Sequence, residues 1–149
     1  MREPGFWWRK AGLASALLSP LAAGYGMVAA RRMGRRGVGA GVPVVCIGNF
    51  TLGGAGKTPT AIAIAQMLAA SGEHVFFLTR GYGGSVAGPK RVEPDADSAA
   101  QVGDEALLLA RAAPTIVARD RVAGARLAKA QGASVIVMDD GLQNGAPAK

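Results

Sequence analysis

The stretch that most restricts what this chain can fold into is an apolar run, Val42 to Ile47, followed by Thr51-Leu52-Gly53-Gly54-Ala55-Gly56-Lys57-Thr58 and then by an apolar helical pattern from Ala61 to Ala70. A strand that enters a helix through a glycine-rich turn is the building unit of a parallel α/β sheet. Gly53, Gly54 and Gly56 leave the backbone free to approach a ligand closely. The N–H groups of such a turn converge, and the helix start adds partial positive charge. The pattern therefore predicts a cradle for the phosphates of ATP or GTP, with Lys57 reaching the β- and γ-phosphates and the Thr58 hydroxyl on Mg²⁺. The first position of the strict G-x-x-x-x-G-K-[ST] pattern is Thr51 here, which is a departure. A turn that binds nothing is the alternative, and the flanking strand, the flanking helix and the Lys-Thr pair together argue against it.

Two parts are expected within the 149 residues: a helical segment over 1–40 and an α/β domain over 41–149, large enough for a core of its own. The only cysteine, Cys46, lies in the strand before the loop and reads as a small buried apolar residue. A single cysteine forms no internal disulfide, which fits a reducing compartment. The formal charge of +7 suggests nucleic acid at first sight, but its distribution argues otherwise. Residues 1–40 hold seven basic residues (Arg2, Arg9, Lys10, Arg31, Arg32, Arg35, Arg36) against Glu3, whereas residues 41–149 hold ten basic and nine acidic residues. The basicity belongs to the N-terminal segment, and no nucleic-acid partner is expected.

That segment reads as membrane-facing. Phe6-Trp7-Trp8-Arg9-Lys10 mixes aromatic and basic residues as lipid headgroup boundaries favour. Ala11 to Ala30 is uncharged and is interrupted by Pro20. A spanning helix has the length, but its glycines, serines and proline weaken it and basic residues flank both ends. A secretory signal would place a nucleotide-binding domain where ATP is absent. An interfacial helix pair kinked at Pro20, held by apolar contact and by arginine attraction to anionic lipid, fits best. The alternative is a helical hairpin packed on the domain's own core.

Beyond the hinge at 37–41, the pattern predicts strands over 43–47, 74–79, 114–118 and 134–138. Helices are predicted over 59–70 and 106–112, and from the Arg119-Asp120-Arg121 start to about Ala130, with a polar loop through Asp97. Strands alternating with helices imply a parallel sheet whose ligands gather at the carboxyl edges of the strands. The polar clusters fall at those edges. Val135-Ile136-Val137-Met138-Asp139-Asp140 is an apolar strand ending in acids, and beside a phosphate loop such a carboxylate holds Mg²⁺. Asp139 is the first candidate, with Asp140 sharing the role or orienting the metal's waters. Asp104, at a helix start, is either an N-cap, the commoner use of Asp there and the reading local sequence favours, or a base for an attacking hydroxyl. Arg80-Gly81-Tyr82-Gly83-Gly84 suits an anionic or sugar-like ligand, or is a turn with a surface arginine. Arg119 and Arg121 would hold phosphate, or pair with Asp120 and Glu105. His74 reads as structural.

Taken together, these stretches resemble the tetraacyldisaccharide 4′-kinases of the lipid A pathway. The matching residues are Phe6-Trp7-Trp8, Ser19-Pro20-Leu21 with Tyr25-Gly26, Gly48-Asn49-Phe50 running on through the loop to Pro59, Arg80 to Gly84, Val102-Gly103-Asp104-Glu105 with Leu107 to Arg111, Arg119-Asp120-Arg121, and Asp139-Asp140-Gly141-Leu142-Gln143. The resemblance implies a P-loop NTPase-like α/β fold. It also implies transfer of the γ-phosphoryl group of ATP, with Mg²⁺, to the 4′-hydroxyl of a tetraacylated glucosamine disaccharide 1-phosphate at the cytoplasmic face of the inner membrane. It raises Asp104 above the cap reading, since the family's Gly-Asp-Glu aspartate is taken as catalytic beside Lys57. The family continues past its Asp-Asp-Gly-Leu-Gln motif with a histidine, further strands and a second domain, whereas Asn144 to Lys149 follow here. The chain is therefore expected to be an amino-terminal part of the family, with an open sheet edge. Two other readings stay open. One is a membrane-associated P-loop ATPase of the partitioning or insertion type, against which Leu52 stands at the signature lysine position. The other is a nucleotide-binding remnant without turnover.

Overall fold

The computed structural model describes residues 12–33, 39–48 and 56–139. Elements follow in the order α1 (Leu13–Met33), β1 (Val44–Ile47), α2 (Lys57–Ala70), β2 (Val75–Thr79), β3 (Lys90–Arg91), α3 (Ala99–Val102), α4 (Asp104–Ala110), β4 (Thr115–Val117), α5 (Arg121–Ala130) and β5 (Val135–Asp139). The five strands form one sheet in the order β1-β5-β2-β4-β3. β1, β5, β2 and β4 run parallel, and β3 alone is antiparallel, pairing Lys90 with Val117 and Arg91 with Ile116. The polar loop expected through Asp97 thus contains a short edge strand, and the sheet is mixed rather than wholly parallel. α3, in the same region, was also not expected.

The central strands read as unbroken apolar runs because both faces are covered. All five residues of β2 are buried. Their alternation divides the core in two. On one face Phe76, Leu78, Ile116, Ile136 and Met138 pack against Ala125 and Ala128 of α5. On the other, Val75, Phe77, Val135 and Val137 pack against Ala61 and Ala65 of α2 and Leu109 of α4. Small residues on the helices let them lie close to the sheet. At Gly124 of α5, even one added carbon would come within 2.6 Å of the Leu78 side chain and 2.7 Å of Ala118. Cys46 is half-buried in β1 and packs on the first of these clusters.

Helix ends follow the chemistry of the sequence. Asp120 caps α5, its carboxylate accepting from the N–H groups of Val122 (2.9 Å) and Ala123 (3.1 Å). α2 stops at Ser71, and Gly72 follows in the left-handed region with φ 90°, where the Glu73 N–H closes on the Leu68 carbonyl. Ser134 links the amino ends of β2 and β5, its hydroxyl accepting from the His74 N–H at 2.8 Å. His74 therefore lies at the end of the sheet away from the loop, as its structural reading requires.

α1 corrects the expected helix pair: it is a single helix of 21 residues with Pro20 inside it. Residues 16–20 and 22–27 are exposed, Leu17, Tyr25 and Met27 among them, so the alternative of a hairpin packed on the core is not observed either. Among the described residues no helix is long and apolar enough to cross a membrane. Phe6-Trp7-Trp8 lies outside the described residues.

Candidate active site

Four parallel strands run the same way, so their carboxyl ends share one edge of the sheet. From β1 the chain leaves at Ile47 towards the glycine-rich loop, and Ile47 is in register with Asp139 at the end of β5. The acid-tipped strand is thus the immediate neighbour of the strand that leads into the loop, as the sequence predicts. β2 ends at Thr79, next to Arg80, and Leu78 pairs with Met138 on one side and Ile116 on the other. Thr51, Leu52, Gly53, Gly54, Ala55 and Asp140 lie outside the described residues, and for Asp139 the strand position alone is described.

α2 begins at Lys57 behind Gly56, whose φ of 73° is the left-handed conformation that glycine adopts freely. Lys57 and Thr58 are half-buried in the first turn. The Thr60 hydroxyl donates to the Gly56 carbonyl (2.8 Å) and tightens that turn. Pro59 costs no intrahelical bond there, because the first-turn N–H groups have no partner within the helix. Thr58 Oγ1 in turn donates to Glu105 Oε1 at 2.5 Å, joining α2 to α4 across 47 residues of sequence.

Asp104 is the first residue of α4, and the cap position is held by Gly103. The N-cap reading of Asp104 is corrected accordingly. Its exposed carboxylate accepts from the Glu105 N–H at 2.9 Å. Gly103 holds φ 90° and ψ 146°, a region essentially reserved for glycine.

The glycines of Arg80 to Gly84 have a packing role. A carbon added at Gly84 would stand 2.5 Å from the Gln101 carbonyl oxygen and 2.8 Å from the Gly103 nitrogen. One added at Gly81 would meet Val117 at 2.5 Å and the Val102 oxygen at 2.9 Å, and one at Gly103 would meet the Tyr82 oxygen at 2.5 Å. The loop after β2 and the α3–α4 corner are therefore interlocked backbone against backbone, and this contact fixes where Asp104 and Glu105 stand. Gly83, by contrast, faces open space. Tyr82 is 88% exposed and Arg80 and Arg119 are exposed, so all three remain accessible to a ligand.

Arg121 is not among them. It is 4% exposed, and its guanidinium donates to the Leu78 carbonyl at 3.0 Å. That bond ties α5 to β2. The long apolar stem of an arginine allows such burial.

Among the described residues no group of three or more His, Cys, Asp or Glu is placed to hold a metal. Thr58 stands at the head of α2, and Asp139 is the last residue of β5. A hydroxyl and a carboxylate suit Mg²⁺, which keeps water and phosphate oxygens in its shell and needs few protein ligands. When bound it would neutralise charge on transferring phosphates.

Residues 14–149 match a family model described as LpxK, tetraacyldisaccharide-1-P 4′-kinase. A tetraacyldisaccharide 4′-kinase of Rhodopseudomonas palustris (strain BisB18) is 61% identical over 149 residues, covering 100% of this chain and 43% of that protein. Another, from Methylobacterium sp. (strain 4-46), is 64% identical over 145 residues, covering 97% and 44%. The chain thus spans less than half the length of the curated relatives it matches. A crystal structure described as the "apo" form of LpxK from Aquifex aeolicus in complex with ATP shares 28% identity at a TM-score of 0.71, covering 85% of this chain and 44% of its own.

Proposed function

Because the chain belongs to the tetraacyldisaccharide-1-phosphate 4′-kinase family, we propose that it carries the ATP-binding and phosphoryl-transfer part of a lipid A kinase. The single observation that carries this reading is the convergence of three chemistries on one sheet edge. Lys57 and Thr58 open α2, Asp139 ends the strand paired with β1, and Asp104 opens α4, whose next residue bonds Thr58.

In this reading the chain from Thr51 through Leu52, Gly53, Gly54, Ala55 and Gly56 to Thr58 wraps the phosphates of ATP, and Lys57 sets its charge against the β- and γ-oxygens. Thr58, Asp139 and Asp140 serve Mg²⁺. The acceptor is the 4′-hydroxyl of a tetraacylated glucosamine disaccharide 1-phosphate. Asp104 takes the hydroxyl proton as that oxygen bonds the γ-phosphorus, and the bond from phosphorus to the bridging oxygen breaks, so that ADP leaves with the electron pair. Arg80, Gly81, Tyr82, Gly83 and Arg119 line the approach of the anionic sugar. The basic N-terminal segment and the exposed apolar residues of α1 rest on the cytoplasmic face of the inner membrane, where an acylated substrate resides.

The test is transfer of label from γ-labelled ATP, with Mg²⁺, to the tetraacylated disaccharide 1-phosphate in detergent micelles. Wild-type protein is expected to form the 4′-phosphorylated lipid. Asp104→Asn is expected to lose about 10²–10⁴-fold in rate, the usual contribution of a positioned base, while keeping its affinity for ATP. Transfer at an unchanged rate by Asp104→Asn removes the assigned base. ATP binding without any transfer by the wild type would reduce the chain to a nucleotide-binding module.

A further inference from the structure

Tyr82 is the most exposed large apolar side chain among the described residues, 88% open to solvent, yet the backbone that carries it is held firmly. The Gly84 N–H donates to the Gly81 carbonyl at 3.0 Å and closes a turn with Tyr82 and Gly83 at its centre. Gly83 has φ 80°, the positive value that glycine supplies at the third position of such a turn. Gly81 and Gly84 lie against the Val102–Gly103 backbone, and the Tyr82 carbonyl oxygen lies against Gly103. Gly83 faces open space, so only the tip of the turn is uncovered. One contact, Tyr82 to Gly103, and one peptide bond separate this mount from Asp104. A single exposed tyrosine on a loose loop needs no explanation. A tyrosine on a fixed mount beside the assigned base is placed for contact, because a binding group is only as precise as its support.

The chemistry of the ring narrows what it contacts. A tyrosine offers an apolar face and a polar tip. A pyranose is its complement, with C–H bonds gathered on a ring face and hydroxyls on the rim. A phosphate has no apolar face, and an acyl chain has no polar rim. The nucleotide loop lies elsewhere: β5 stands between β2, which leads to Tyr82, and β1, which leads to that loop. We propose that Tyr82 is the stacking platform for a glucosamine ring of the acceptor, and so determines specificity for a sugar headgroup over other acylated phosphates. The inference rests on the lipid-kinase reading and deepens it.

The test is calorimetric titration of the chain, with Mg²⁺ and a non-hydrolysable ATP analogue, against two lipids in neutral detergent micelles. One is the tetraacylated disaccharide 1-phosphate, and the other is phosphatidic acid, an acylated phosphate without sugar; empty micelles give the baseline. Wild type is expected to prefer the disaccharide. Loss of an aromatic anchor costs about 10-fold or more in affinity, so Tyr82→Ala is expected to lose about that factor for the disaccharide and nothing for phosphatidic acid. Tyr82→Phe, which keeps the face and lacks the hydroxyl, is expected to recover most of the loss. Affinity for the ATP analogue and the urea midpoint are expected to stay at wild-type values in both variants. Wild-type affinity of Tyr82→Ala for the disaccharide, an equal loss for both lipids, or failure of Tyr82→Phe to recover overturns the inference and leaves the kinase reading standing. A wild type that does not prefer the disaccharide removes the acceptor from that reading, and the inference with it.

Discussion

Adding a single methyl group at position 84 gives the sharpest test of how this site is held together. Gly84 has no positive φ, so alanine there incurs no backbone strain, and whatever it does comes from contact. Its Cβ would lie 2.5 Å from the Gln101 oxygen, 2.7 Å from the Val102 carbonyl carbon and 2.8 Å from the Gly103 nitrogen. All three are backbone atoms and cannot rotate away. Two effects compete. Replacing glycine restricts the unfolded chain and stabilises by about 0.4–1 kcal/mol where the native geometry accepts the change. Overpacking a close contact costs about 1–3 kcal/mol. The clash wins, for a net loss of about 1–2 kcal/mol. With a urea slope of about 1–3 kcal/mol per molar, the unfolding midpoint should fall by roughly 1 M. Gly39→Ala is the internal control, since Gly39 also lacks a positive φ and an added carbon there meets nothing within 4 Å; its midpoint should hold or rise. Gly103→Ala combines the contact with Tyr82 and a glycine-only backbone, and should fall further than Gly84→Ala. Equal midpoints for Gly84→Ala and Gly39→Ala would refute the interlock, and with it the account of what places Asp104 and Glu105.

Two further outcomes follow from the scaffold. Asp97 accepts from the Glu93 N–H (2.9 Å) and from Lys90, and these bonds, the backbone one first, hold its carboxyl below the ordinary value. Its stabilisation is present above the unfolded-chain pKa of about 3.9 and is lost as pH falls through the lowered folded value. Urea midpoints of wild type and Asp97→Asn should therefore differ at neutral pH and converge in acid, and a gap that persists into strong acid would contradict this. Arg121→Ala should destabilise by about 1–3 kcal/mol, because it strips a donor from the buried Leu78 carbonyl, with ATP affinity unchanged. A loss of ATP affinity without loss of stability would return Arg121 to the phosphate site.

What the sequence disclosed and what it hid divide along physical lines. The strand and helix that flank the glycine-rich stretch, and the four parallel strands, were legible because apolar runs and glycine punctuation are local signals. β3 was not: two residues, Lys90 and Arg91, show no alternation, and their pairing with β4 is a tertiary event. Lys57 and Thr58 were legible as a spaced pair, and the family match decided against the partitioning-type ATPase that the same loop allowed. Glu105 was visible only as an acid at a helix start, because its partner lies 47 residues earlier. Arg121 was hard to read for the opposite reason. A charge at a helix start looks like a phosphate ligand, and only the fold shows it tucked under β2. The glycines after β2 read as freedom in a turn, while their structural use at Gly81 and Gly84 is close approach.

The sheet also grows unequally at its two margins. On one side it ends in β3, a reversed stub of two residues that offers an incoming strand little to pair with. On the other it ends in β1, four residues in the common direction and half-buried along their whole length. Enlargement is thereby polarised: a strand that joins in parallel docks alongside Val44–Ile47, and its carboxyl tip then arrives beside the end of β1 rather than beside β4.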